Sequence, residues 1–108
     1  MGNETEIRLI LHRGLNGTNP SAFRIDEDGL SVFELPLDGY RYNLRFTAVL
    51  VNEKVYGSIA RLVDEDLSIG EAVFTPQFGE GHWSIRFPNL SISDAKNLLS
   101  KYAKSVLK

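Results

Sequence analysis

Tyr40-Arg41-Tyr42-Asn43-Leu44-Arg45-Phe46-Thr47-Ala48-Val49-Leu50-Val51 is the stretch on which the fold turns. Successive side chains of a β-strand point to opposite faces, so strict alternation of apolar and polar residues marks a strand with one buried side. Here Tyr40, Tyr42, Leu44, Phe46 and Ala48 form the inward set, and Arg41, Asn43, Arg45 and Thr47 the outward one. The turn Asp38-Gly39 precedes it, and Asn52-Glu53-Lys54 reads as the short loop that follows.

Working outward, the same period recurs. Residues 6–13 alternate with Ile7, Leu9 and Leu11 against Arg8, Ile10 and His12, and Gly14 is expected to end that strand. Residues 15–20 hold four turn formers and read as a loop. Asp26-Glu27-Asp28-Gly29 reads as a turn in which Gly29 is free to take positive φ, launching a strand over Leu30–Leu35 that Pro36 closes. Residues 58–69 are open between strand and helix, because Gly57, Ser58 and Ala60 weaken either period. Ala72–Thr75 is a short strand stopped by Pro76. His82–Phe87 places Trp83, Ile85 and Phe87 on one side, with His82, Ser84 and Arg86 on the other.

The last element has a different period. Ala95, Leu98, Leu99, Tyr102 and Val106 fall at helical spacing and form one apolar stripe, with Ser91 as N-cap. The expected architecture is α+β: a five- or six-stranded, mainly antiparallel sheet with a C-terminal amphipathic helix packed on one face. At 108 residues a single globular domain over 1–108 is expected, with no internal repeat or linker.

Composition excludes more than it selects. A formal charge of −2 and a pI near 5.6 argue against a chain built to coat nucleic acid. The absence of cysteine removes disulfides, thiolate metal sites and cysteine nucleophiles, and suits a reducing cytoplasm. The longest apolar run, Ala48 to Val51, is far short of the roughly 18 residues of a membrane span. Met1–Glu6 carries two acids where a signal peptide would be basic, so a cytoplasmic location is expected.

The polar residues point to one candidate surface. With the helix on the apolar face of an open sheet, Arg8, His12, Arg41, Arg45, His82, Ser84 and Arg86 project together from the other face. Guanidinium groups offer paired donors to phosphate or carboxylate, and the histidines titrate near neutrality. The competing reading is that Glu6, Glu34 and Glu71 share that face and neutralise the arginines. Candidate binding residues are therefore Asp28, Arg41, Arg45, His82 and Arg86. No catalytic residue is assigned, since no Gly-x-Ser-x-Gly elbow, P-loop or dinucleotide fingerprint occurs. No metal ligand or cofactor is expected, because His12 and His82 lack any chelating spacing.

Two family resemblances accompany these residues. Phe23-Arg24, Asp28-Gly29-Leu30-Ser31-Val32, then Gly81-His82 and Ile85 before a final helix, resembles a group of small uncharacterised bacterial proteins. These carry a Gly-Leu-Ser-Val block and a later Gly/Ala-His-x-x-Ile strand, and the likeness implies a bacterial or phage setting. Leu11-His12-Arg13-Gly14 and Leu30-Ser31-Val32 resemble the NAD-gripping strands of ADP-ribosyltransferase-type toxins. The chain departs from that family in having no Glu-x-Glu signature.

The leading expectation is a protein that binds another protein, as an accessory, inhibitor or immunity-type module, with a sheet edge as a route to a homodimer. The alternatives are an NAD-consuming or other phosphate-handling enzyme using Arg13, Ser31, His82 and Glu80, and nucleic-acid binding through Arg41, Arg45 and Arg86.

Overall fold

A computed structural model describes residues 6–107. The strands are β1 (Glu6–Leu15), β2 (Ile25–Asp26), β3 (Gly29–Phe33), β4 (Tyr42–Val51), β5 (Ile59–Leu62), β6 (Glu71–Phe74) and β7 (His82–Arg86). Helix α1 (Ile92–Val106) follows. The alternating stretch is thus β4, which pairs with β1 over ten residues from Glu6↔Val51 to Leu15↔Tyr42. Tyr40, expected inward, lies before the strand and is 48% exposed. Its ring packs where a side chain on Gly14 would stand. β1 runs through Gly14 instead of ending there, because Gly14 and Leu15 still pair with Asn43 and Tyr42 of β4.

Neighbouring strands are antiparallel throughout, in the order β1-β4-β5-β6-β7-β3-β2. An additional pairing, His12↔Phe33 between β1 and β3, joins the two sides. The sheet is therefore a closed six-stranded barrel with β2 appended, a more specific form of the expected antiparallel sheet. Alternation records which side of a strand is buried. Coiling of short, twisted strands until β3 meets β1 leaves that pattern unchanged.

The inward residues of every barrel strand fill the interior. Leu11, Leu30, Val32, Leu44, Phe46, Leu62 and Trp83 are fully buried in one cluster. Small Ala60 and Ala72 face each other across β5 and β6, beside bulky Ile85 and Trp83 on β7, the mixture of sizes that fits a tapering interior. The open question over residues 58–69 resolves accordingly. Ala60 and Leu62 turn inward from β5, and Glu65–Leu67 forms one 3-10 turn that buries Leu67.

Helix α1 closes one end of this barrel instead of lying across a sheet face. Its Ala95, Leu99, Tyr102 and Ala103 join the core cluster, whereas Val106 of the expected stripe is half exposed. Ser91 Oγ accepts from the Asp94 N–H at 3.1 Å, the expected N-cap. Ser100 Oγ donates to the Thr18 carbonyl beyond β1 at 2.7 Å. The Tyr102 hydroxyl donates to the Arg45 carbonyl at 3.0 Å and to Asp64 Oδ1 at 3.1 Å. Asp64 Oδ2 accepts from the Thr47 N–H at 2.8 Å. Together they satisfy the edge of β4 just where β5 leaves it. Among the described residues no helix is long and apolar enough to cross a membrane.

Candidate functional site

The opposite end of the barrel, marked by Phe33, Val51, Phe74 and His82, has no α-helix over it among the described residues. Trp83 points inward there, and its indole N–H must find an acceptor in an otherwise apolar interior. Glu34 supplies it. The backbone N–H of Glu34 donates to the Gly81 carbonyl at 3.0 Å, continuing the β3–β7 pairing by one residue. Its side chain then lies in the inward phase of Leu30 and Val32. Trp83 Nε1 donates to Glu34 Oε2 at 2.7 Å, and Lys54 Nζ donates to both carboxylate oxygens at 2.8 and 3.0 Å.

Partial burial alone would raise the carboxyl pKa. The bonds from Lys54 and Trp83 outweigh it and hold Glu34 below the ordinary glutamate value. Lys54 also lies over the Phe74 ring, 5.7 Å from its centroid. Around this triad opens a cleft of about 600 Å³, lined by Phe33, Leu35, Pro36, Leu37, Phe74, Glu80 and Gly81. Two of its apolar lining residues face solvent: Leu35 is 75% exposed and Leu37 40%. Next to Lys54 along the chain, Val55 and Tyr56 are exposed as well, and Gln77 Nε2 donates to the Tyr56 hydroxyl at 3.1 Å, tying that segment to the turn after β6.

A second, polar pocket adjoins this cleft across Phe33. His82 and Ser84 belong to the outward phase of β7, yet they are 3% and 1% exposed. The reason is the 3-10 turn Pro76–Phe78, which folds over them. Thr75 Oγ1 lies 2.7 Å from His82 Nδ1 and 2.9 Å from Ser84 Oγ, a hydroxyl–imidazole chain. The Phe33 and Phe78 rings flank the imidazole, with centroids 5.0 and 5.4 Å away. Burial lowers the His82 pKa, against the opposing effects of Thr75, Asp26 and Asp28. Asp26, Asp28, Ser31, Phe33, Phe78, His82 and Ser84 line a half-open space of about 190 Å³.

Three of the five candidate binding residues meet here. Asp28 and His82 line the polar pocket, and Arg86 Nε donates to the Asp28 carbonyl at 2.9 Å. Arg41 and Arg45 do not join them. Arg41 stacks over the Tyr42 ring at 5.1 Å, and Arg45 sits on the outer face of β4 beside a shallow recess with Asp64 and Tyr102. In the closed barrel β4 and β7 stand three strands apart by either route, so the single basic face of an open sheet does not form. His12 Nδ1 faces Asn43 Nδ2 at 2.9 Å, and its pKa is lowered by burial and by Arg45, against the Asn43 bond. Glu34, expected to offset surface arginines, pairs with Lys54 instead.

The residues of the enzyme alternative are split as well. Arg13 Nη1 donates to Ser31 at 3.1 Å, but to its carbonyl. The Ser31 side chain faces the polar pocket with His82, while Glu80 lines the apolar cleft. Arg13 Nε is buried without a partner among the described residues. It follows the inward phase of Leu9 and Leu11, bridging a seam where β1 and β3 do not pair. Among the described residues no group of three or more His, Asp or Glu is arranged to hold a metal ion.

Sequence reasoning passed over the Glu34–Trp83–Lys54 cluster. A signal existed: Glu34 and Arg13 are charges in the apolar phase of their strands. Burial of His82 and Ser84 carried no such signal, since it depends on a turn folding across their face. No protein-family model, no curated protein and no solved structure matches this chain.

Proposed function

We propose that the protein acts by binding another protein through the helix-free end of its barrel, taking an apolar segment of that partner into the cleft around Glu34. One observation carries this reading: the concave opening is lined by Phe33, Leu35, Pro36, Leu37 and Phe74, and of these Leu35 and Leu37 are exposed to solvent. Apolar side chains gathered at a cleft mouth mark a contact surface, whereas scattered ones do not. The Glu34–Lys54 pair gives that cleft a fixed polar point that orients a segment lying across it. An accessory or inhibitory module is the class of activity such a surface serves. The outer edge of β1 from Glu6 to Leu11 has β4 on one side and, among the described residues, no strand on the other, which is where a homodimer would form by strand addition.

Neither alternative gains comparable support. Arg41, Arg45 and Arg86 are spread around the barrel, and Arg13, Ser31, His82 and Glu80 share no pocket.

A photo-crosslinking residue placed at Leu35 in the native cell tests the reading, with Lys101 on the exposed side of α1 as control. One protein captured at Leu35 and not at Lys101 is expected. Its purified form should bind the wild-type chain and lose affinity at least about tenfold for Leu35→Asp/Leu37→Asp, the loss typical of hot-spot residues. Equal capture at both positions, or none at Leu35, refutes the surface.

A further inference from the structure

We infer that the polar pocket on the outer face of β7 receives a small organic cation, a guanidinium or primary ammonium group on an alkyl stem. This stands independently of the apolar cleft, although the two share the wall formed by Phe33.

Charge comes first. Asp26 and Asp28 both line the pocket, and among the described residues neither carboxylate lies in an ion pair. Arg86 Nε donates to the Asp28 carbonyl, and the Asp28 N–H donates to Asp26 Oδ1 at 2.9 Å. The hairpin is held by these two bonds, which leave the second Asp26 oxygen and the Asp28 carboxylate without a partner among the described residues. An anionic ligand is disfavoured by the same carboxylates.

A second feature points the same way. His82 lines the pocket while only 3% exposed, and among the described residues only Thr75 hydrogen-bonds its ring, through Nδ1. Its Nε2 has no protein partner among the described residues and is an acceptor in the tautomer whose Nδ1–H donates to Thr75 Oγ1. The Ser31 and Ser84 hydroxyls add acceptors. A guanidinium carries five N–H donors in a planar fork and an ammonium three, so either can use the carboxylates and hydroxyls together, with the imidazole joining them in the tautomer protonated at Nδ1. Phe33 and Phe78 suit such a group as well, since aromatic faces attract cations and the half-exposed Phe78 can cover a methylene stem. The half-open space of about 190 Å³ accommodates one such head group with a short stem.

The test follows the His82 ring resonances by NMR while n-butylguanidinium chloride is added, with uncharged n-butylurea at equal ionic strength as control. The expected result is a saturable shift of His82 with the cation and none with the urea. Binding should fall at least about tenfold in Asp26→Asn/Asp28→Asn, as loss of two close charges implies, with the thermal midpoint checked to show that the variant is folded. The amide that replaces the Asp26 carboxylate still offers an acceptor to the backbone N–H of position 28, so the hairpin should persist. A capped Gly-Arg-Gly peptide distinguishes the source. If it binds like n-butylguanidinium, a basic side chain of a polypeptide is the ligand; if only the free cation binds, a small amine is. No His82 shift with either, an equal shift with the urea, or full binding by the folded double variant overturns the inference.

Discussion

Glu34 and His82 show how far a single side chain can depart from the pattern of its strand. Glu34 occupies an inward position because Trp83, fully buried, needs an acceptor for its indole N–H. Glu34→Ala should destabilise the fold by about 1–3 kcal/mol by leaving that donor unsatisfied. Glu34→Gln keeps an acceptor and loses only the part-exposed ion pair with Lys54, worth about 1 kcal/mol or less. Denaturant titration of the two variants separates these terms, and an equal loss in both would mean that the ion pair dominates. His82 leads to a pH effect. Burial holds its pKa below 6.5, so the unfolded chain takes the proton more readily than the folded one. Its contribution to stability is complete above about 6.5 and is lost as pH falls through that value toward the folded pKa. The denaturation midpoint should drop between about pH 7.5 and pH 5, and drop less in His82→Gln. His12 shifts in the same direction and remains in both proteins, so the difference reports His82.

At the scale of elements, the β2–β3 hairpin and helix α1 hold the barrel's two weak places. The hairpin turns at Gly29, whose φ of +113° is unfavourable for any side chain, and an added Cβ would lie 2.5 Å from the Ile85 carbonyl oxygen. Gly29→Ala should cost about 2 kcal/mol or more and loosen the β3–β7 pairing, visible as faster amide exchange at Leu30 and Ile85. Unchanged exchange would show that the ladder absorbs the clash. Helix α1 is tied to the edge of β4 through Tyr102, whose ring also stacks on Phe46 with centroids 5.9 Å apart. Burial and Asp64 raise the phenol pKa, keeping the proton that the Arg45 carbonyl and Asp64 share. Tyr102→Phe preserves the stacking and should lose about 1–2 kcal/mol, measured by denaturant unfolding. A neutral result would mean that water replaces the hydroxyl.

For the whole molecule, the barrel and helix share one core, so damage to either should unfold both. Leu99 of α1 is fully buried against the barrel interior, and Leu99→Ala should cost about 2–5 kcal/mol with unfolding still cooperative. Loss of the helical signal before the barrel's would contradict a shared core. The sequence made the positions of β1, β3, β4, β6 and β7, the N-cap at Ser91 and the inward sets of β1, β4 and β7 legible, because local periodicity follows directly from which side of an element is buried; β2 and β5 were too short or too weakly patterned to read. It also carried a readable clue to Glu34 and Arg13, charges set in apolar phase. The barrel, the end position of the helix and the separation of Arg41 and Arg45 from Arg86 were not legible. Each depends on which strands meet, β3 with β7 from distant parts of the chain and β1 with β3 across the closing seam, and pairing between segments leaves no periodic trace. The amino-acid order by itself determined an antiparallel α+β chain with alternating strands and one amphipathic helix. Tertiary structure alone decided that the sheet closes, that a turn buries His82 and Ser84, and that an apolar cleft and an acidic pocket lie side by side, because those outcomes come from contacts between segments rather than from preferences within them.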